Sequence, residues 1–315
     1  MKRLALAAAL ASLFAAPAFA QSSNVTIYGR MNTSIEHIKV GDGESQGQMV
    51  NNASRLGFKG SEDLGGGLKA NFLLEHRLGS DNGTVTGDFW SGDSWVGLSG
   101  NFGEIRLGRQ TSAAYYATAD YVSLHNHDTG TSADALYSLG FQSWATNNKF
   151  SYITPSFGGA VGEVQYGLGE GGEHSLDLAV NYAVGPLQLG AGYTKVAEDT
   201  QFALRGLYTI GDFTFGGYYQ RASMDETFAD DGDANIFRLS GMYVLGASEF
   251  HLNVGLAGDV GDTDDSGAKQ YTLAYNYNLS KRTKLYAFAT KISADSANPY
   301  TDDFRSFALG LRHNF

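Results

Sequence analysis

Four short runs in this chain hold residue types that chemistry uses. "GLGEGG", with Gly167, Gly169 and Gly172, fits the spacing of a dinucleotide loop, where glycine lets backbone amides approach a pyrophosphate. "HNHD" sets His125 and His127 beside Asp128, donors suited to a transition metal. "DTDDSG", with Asp262, Asp264 and Asp265, opens like a calcium loop, and "GDS" at Gly92, Asp93 and Ser94 echoes a hydrolase nucleophile. Each lacks its second half. A dinucleotide loop must lead into a helix, whereas the following "EHSLDLAVNY" alternates as a strand. The histidines have no third ligand at recognisable spacing, Leu273 stands where calcium needs a bidentate glutamate, and no suitable Asp/His pair follows Ser94. The first three read as loops and the fourth lacks its partners, so no metal, cofactor or catalytic residue is expected.

Any such site would need a scaffold, and the scaffold here has a period of two. In "NVTIYGRMNTSIEHI", Val25, Ile27, Gly29, Met31, Thr33 and Ile35 share one face while Thr26, Arg30, Asn32, Ser34 and Glu36 share the other. The pattern returns in "SLDLAVNY", "EFHLNVGL" and "QYTLAYNYN", and it runs to the last residue through Phe307, Leu309, Leu311, His313 and Phe315. A strand that ends the chain must have its edges paired or protected, so another strand has to lie beside it. Short connections such as Gly65-Gly66-Gly67, Gly211-Asp212 and Gly246-Ala247-Ser248 take turns with long ones at 79–87, 222–233 and 259–267. Short turns at one end and long loops at the other describe an up-and-down barrel, and about sixteen strands of roughly ten residues fill the length. The expected fold class is therefore all-β, a transmembrane antiparallel β-barrel. The connection from Thr111 to Asn147 is too long for an ordinary loop and rich in small and aromatic residues, so it is expected to fold inward and narrow the lumen.

Residues 1–20 have a basic start at Lys2 and Arg3, an apolar centre and a small-residue site at Ala18-Phe19-Ala20. That is the form of a cleaved secretory signal peptide, leaving 21–315 as one domain. No later stretch has the roughly 18 apolar residues of a helical span, but a barrel hides its apolar surface in alternate residues. The 41 glycines against 4 prolines suit many strands with tight turns, and 19 Phe with 18 Tyr supply interfacial girdles. With no cysteine, disulfides and thiol chemistry are excluded. A net charge of −11 argues against a nucleic-acid partner, whose phosphates need basic surfaces.

"VTIYGRMN", "SRLGFKGSEDLGGGLKANFLLE", "VGLSGNFGEIRLGRQ", "SYITPSFGG", "LSKRT" and the terminal "GLRHNF" closely resemble, in order and spacing, the general diffusion porins of Gram-negative outer membranes, most of all those of beta-proteobacteria. The resemblance implies a homotrimer of sixteen-stranded barrels in the cell outer membrane, each with a water-filled pore pinched by an inward-folded third long loop. It implies passive diffusion of ions and small hydrophilic solutes, and contact with outer-membrane lipid and lipopolysaccharide. It also implies that the terminal aromatic, Phe315, is read by the outer-membrane assembly machinery. Small outward residues such as Gly29 are expected to let neighbouring barrels approach.

Motif by motif, Arg55 of "SRLGFKG" and Arg109 of "LGRQ" match the pore-wall arginines, Glu75 of "LKANFLLE" a pore-lining acid, and Asp120 of "ATADYVSL" the acid of the facing loop. These four are the expected constriction, where fixed charges sort solutes by size and sign. Further candidates for lining the lumen are Arg30, Lys59, Lys69, Arg77, Asp93, Arg106, Asp128, Asp134 and Lys149. Two arginines of the anion-selective relatives are absent, their stretches reading "WSGDSW" and "WATNN". With acid-rich loops around 225–233 and 259–265, this leads to an expectation of weak cation selectivity. The alternative is an exported soluble all-β enzyme or carbohydrate-binding protein using carboxylates such as Asp264 and Asp265. The two readings differ in which face of the strands points outward.

Overall fold

With one exception, successive strands pair antiparallel, and the last returns to the first. The computed structural model describes residues 23–125, 136, 147–224, 232–298 and 301–315; the N-terminal 1–22, Asp128 and Asp134 lie outside them. The strands are β1 (Ser23–Val40), β2 (Gln46–Asn51), β3 (Arg55–Gly65), β4 (Leu68–Arg77), β5 (Ser94–Gly100), β6 (Gly103–Arg109), β7 (Lys149–Ile153), β8 (Ala160–Gly167) and β9 (Ser175–Val184). They continue as β10 (Leu187–Val196), β11 (Asp199–Ile210), β12 (Phe213–Met224), β13 (Gly232–Leu245), β14 (Ser248–Ala257), β15 (Ala268–Asn278), β16 (Thr283–Ala294) and β17 (Phe304–Asn314).

β2 and β3 lie end to end along β1, which pairs with β2 over Thr33–Ile38 and with β3 over Ser23–Arg30. Seventeen segments thus form sixteen staves of one closed barrel. The break falls at Asn52–Ser54, where Ala53 has φ 56° and Asn52 Nδ2 donates to the Tyr286 hydroxyl at 2.9 Å. Closure runs from Arg30 opposite Asn314 to Val40 opposite Phe304. Gly29 and Phe315 then exchange two backbone hydrogen bonds, both 3.1 Å. This is the partner that a chain-terminal strand required.

The two faces are reversed relative to a soluble sandwich, which would bury its apolar residues in a dry core. Val25, Ile35 and Leu239 point outward at 64%, 66% and 68% exposure, while Asn32, Gln220 and Gln270 on the inner face are fully buried. The soluble alternative is thereby excluded as the architecture. Phe213 and Tyr243 stack at 4.6 Å, and Phe250 and Tyr275 lie 5.2 Å apart, near the short-turn ends of their strands. Amphipathic rings at that level form an interfacial girdle.

Two sequence expectations need correction. The alternation of short and long connections fails between β10 and β11, joined at the long-loop end by only Ala197 and Glu198. Gly29 does point outward, but it is buried beneath the Phe315 ring, with which an added Cβ would collide. Its small size serves the chain's own terminus rather than a neighbouring barrel.

The third long connection folds inward. Its first turn is α1 (Ala113–Ala117), capped by the Ser112 hydroxyl, which accepts from the Tyr115 amide at 3.2 Å. Inward-facing Gly190 and Gly192 of β10 give α1 its seat: a Cβ at Gly190 would strike the Ala117 carbonyl, and one at Gly192 would come 2.7 Å from Ala114 Cα. Further along, Ser123 accepts from Asn253 Nδ2 of β14 at 3.1 Å, and Leu136 is packed with Ile236, Ala268 and Ile292 of β13, β15 and β16. The described parts of the loop therefore reach the lumen wall at β10, at β14 and at β13, β15 and β16.

Candidate functional site

Between the described part of the loop and the wall lies a cavity of about 1020 Å³. Among the described residues six cations line it: Arg30, Arg55, Arg77, Arg109, Lys284 and Arg312. Asp93 and Asp120 are the carboxylates. Strand register explains how so many positive charges gather. Arg30 of β1 stands directly opposite Arg55 of β3, and Arg55 opposite Arg77 of β4; Lys284 of β16 stands opposite Arg312 of β17.

Like charges in directly opposed positions destabilise a sheet unless something compensates them. Glu75 does so for the first row. Its Oε1 lies 2.8 Å from Arg77 Nη2 and 3.9 Å from Arg55 Nη1, and the Tyr28 hydroxyl donates to its Oε2 at 3.0 Å. Gly92 covers it so closely that a Cβ there would come 2.7 Å from Glu75 Cβ. Glu75 was expected to line the pore; it is instead a buried counter-ion, 7% exposed, behind the arginines that do. Glu249 plays a similar part for Lys284, at 3.2 Å.

The loop bases are bolted to this wall. Asp93 Oδ1 accepts from the Thr111 amide at 2.8 Å and from its hydroxyl at 2.7 Å, so this carboxylate faces the cavity while holding the third loop. Arg109 donates to the Gly92 carbonyl at 3.0 Å, to the Ser91 carbonyl at 2.9 Å and to Asn147, tying the second long loop to the third. Asp120, just after α1, receives the Tyr115 hydroxyl at 3.3 Å and is half-buried at the cavity edge.

Of the remaining candidates, Lys59, Lys69 and Arg106 share the lumen face by register but lie outside the cavity lining. Lys59 sits 5.3 Å from the Tyr28 ring, and Arg106 stacks at 4.2 Å on Trp95 while pairing with Glu104 at 2.8 Å. Lys149 is a correction. Its side chain has no exposure, and Nζ is held by Asp177 Oδ2 and Gln165 Oε1, both at 2.7 Å. It anchors the wall behind α1 and meets no solute. Lys284 and Arg312 were missed; period two along the last two strands would have found them, had the aromatic Tyr286 and Phe288 not disguised the inner face of β16.

Among the described residues no three His, Asp or Glu side chains gather as a metal site. What the arrangement offers is a water-accessible passage with charged walls, carried through a membrane by strands. Comparison with known proteins agrees. Outer membrane porin protein 32 of Delftia acidovorans is 33% identical over 312 residues, covering 88% of this chain and 86% of that one. A major outer membrane protein P.IB of Neisseria gonorrhoeae is 34% identical over the whole of both chains. The solved anion-selective porin from Comamonas acidovorans superposes with a TM-score of 0.78 at 29% identity, covering 93% of this chain and all of that one. OmpT of Vibrio cholerae, in a trimer form, shares the fold with a TM-score of 0.70 at 18% identity. The Gram-negative porin family matches residues 5–297, and the chain belongs to that family as a porin of the outer membrane.

Proposed function

We propose that the barrel passes ions and small hydrophilic solutes by diffusion, and that its narrowest stretch, between Asp120 on the loop and Arg55 and Arg109 on the wall, favours anions. What supports the reading is the charge around the cavity. Among the described residues six cations face two carboxylates, and even with Glu75 and Glu249 behind them the balance stays positive. The expectation of weak cation selectivity gave weight to absent arginines and to acidic loops. Screening confines the influence of those loops to about 8–10 Å at ordinary salt, whereas Arg30, Lys284 and Arg312 act at the cavity itself. The Comamonas porin, described as anion-selective, has the same fold at 29% identity, which agrees with this sign.

The test is the reversal potential across a planar bilayer under a potassium chloride gradient. Chloride should be the more permeant ion, and Arg55→Gln with Arg109→Gln should move the potential towards potassium. A wild-type potential of the potassium sign would overturn the preference. The unit that conducts is proposed to be a homotrimer, as the trimer form of the Vibrio protein suggests by likeness of fold. A detergent-solubilised mass of one chain would refute it.

A further inference from the structure

The membrane-facing side carries a second row of cations, and among the described residues this one has no compensating acid. Lys39 of β1 stands directly opposite Arg305 of β17, and Arg305 directly opposite Lys291 of β16. Lys269 of β15, opposite Ser293, lies one diagonal step from Lys291. The neighbours Ile38, Ser306, Ile292 and Gln270 are buried on the lumen side, so these four side chains point away from the pore. All four sit near the long-loop ends of their strands. Directly below them on the outer face come Phe307, Leu309, Tyr271 and Leu273, at 47–62% exposure. The row therefore lies where hydrocarbon gives way to headgroups. Four strands at a spacing of about 4.8 Å spread it over roughly 14 Å.

Elsewhere the molecule neutralises such charges. The lumen row of Arg55 and Arg77 has Glu75. Two other outward cations at the long-loop end are paired within the chain: Lys195 with Glu198 at 3.4 Å, and Arg221 with Asp233. Lys39, Lys269, Lys291 and Arg305 form no ion pair among the described residues. Opposed like charges destabilise a sheet, and in a chain with 33 acids against 22 bases their gathering is not a matter of composition. Within the described chain nothing supplies the negative charge that such a row attracts.

We propose that this row binds the phosphate groups of an anionic lipid in the outer leaflet. Arg305 at the centre has the planar fork that suits a phosphate, the lysines on either side add point charges, and the apolar belt below receives the acyl chains. That belt is why the occupant is a lipid and not free phosphate. The inference rests on the outer-membrane placement and is independent of the ion preference proposed above.

The test is native mass spectrometry of the folded full chain in non-ionic detergent, titrated with a bisphosphorylated lipid A, with phosphatidylcholine, and with inorganic phosphate. Lipid A should bind saturably and be released by salt, and the other two should bind at least about tenfold more weakly. At roughly 1 kcal/mol per basic residue near a lipid surface, Lys39→Gln, Lys269→Gln, Lys291→Gln and Arg305→Gln together should weaken lipid A by at least about tenfold. Lys195→Gln with Arg221→Gln should leave it within about twofold. Conductance and gel mobility of each variant report whether the barrel is intact. If the fourfold variant does not fold, Arg305→Gln alone should still cost about fivefold. Unchanged affinity in the row variants, an equal loss in the control pair, or equal binding of phosphatidylcholine or inorganic phosphate would overturn the proposal.

Discussion

Lys149 stands on the lumen face by register and yet meets no solute. Period two along β7 says correctly that it points inward, but it cannot say that α1 and its supporting wall will close over that point. Burial of a charge is tolerable only with a well-placed partner, and Asp177 is one: it accepts from Lys149 Nζ, from the Ser112 hydroxyl and from the Thr194 hydroxyl, at 2.7, 2.6 and 2.6 Å. Lys149→Met would leave that carboxylate buried with two hydroxyl donors and no cation. Breaking such a pair from one side typically costs about 3–5 kcal/mol. Lys149→Met should thus lower the urea midpoint of the folded barrel clearly, and Lys149→Met with Asp177→Leu should recover part of the loss. A single variant as stable as the parent would mean that the pair is structurally idle. The same reasoning explains Glu75: its position and polarity could be read from spacing, but that it serves Arg55 and Arg77 from behind Gly92 could not, because the cover comes from the folding back of the connection between β4 and β5.

Among the elements, what local alternation dictates was legible and what the neighbours decide was not. Strands such as β1 and β14 present one mainly apolar face, through Val25, Ile27, Met31 and Ile35 in the first and Phe250, Leu252, Val254 and Leu256 in the second, so their existence and orientation follow from the sequence. The interruption between β2 and β3 does not, since Ala53 at φ 56° carries no glycine or proline to announce it. The inward course of the third loop was legible in its small and aromatic composition. Its seat was not: Gly190 and Gly192 look like any strand glycines until α1 lies on them. A loop seated at one wall through α1 and packed at Leu136 against another should set the lumen's width. Shortening the chain within 120–133, while keeping Ser112 and α1, should raise single-channel conductance and admit larger sugars in liposome-swelling assays. An unchanged conductance in a folded variant would show that this part of the loop lies clear of the permeation path.

For the whole molecule the decisive event is closure, since a barrel leaves no edge only once its first and last strands have met. Here the seam ends on Phe315, and two contributions of that residue can be separated. Its backbone exchanges two hydrogen bonds with Gly29, and its ring covers Gly29 from outside so closely that an added Cβ there would collide with it. A role as a feature read by assembly machinery would depend on the ring and operate only in cells; a role in closure depends on the backbone and operates anywhere. Deleting Phe315 removes both, so the yield of folded barrel should fall in cells and also on refolding into detergent micelles. Phe315→Ala keeps the backbone bonds, each contributing about 0.5–1.5 kcal/mol net. It should therefore refold in micelles nearly as the parent does while assembling poorly in the outer membrane. The folded fraction is read as the fast-migrating band of an unheated gel. If Phe315→Ala assembles normally in cells, the ring is not the feature that is read; if the deletion refolds as well as the parent, the last two hydrogen bonds are not what closes the seam.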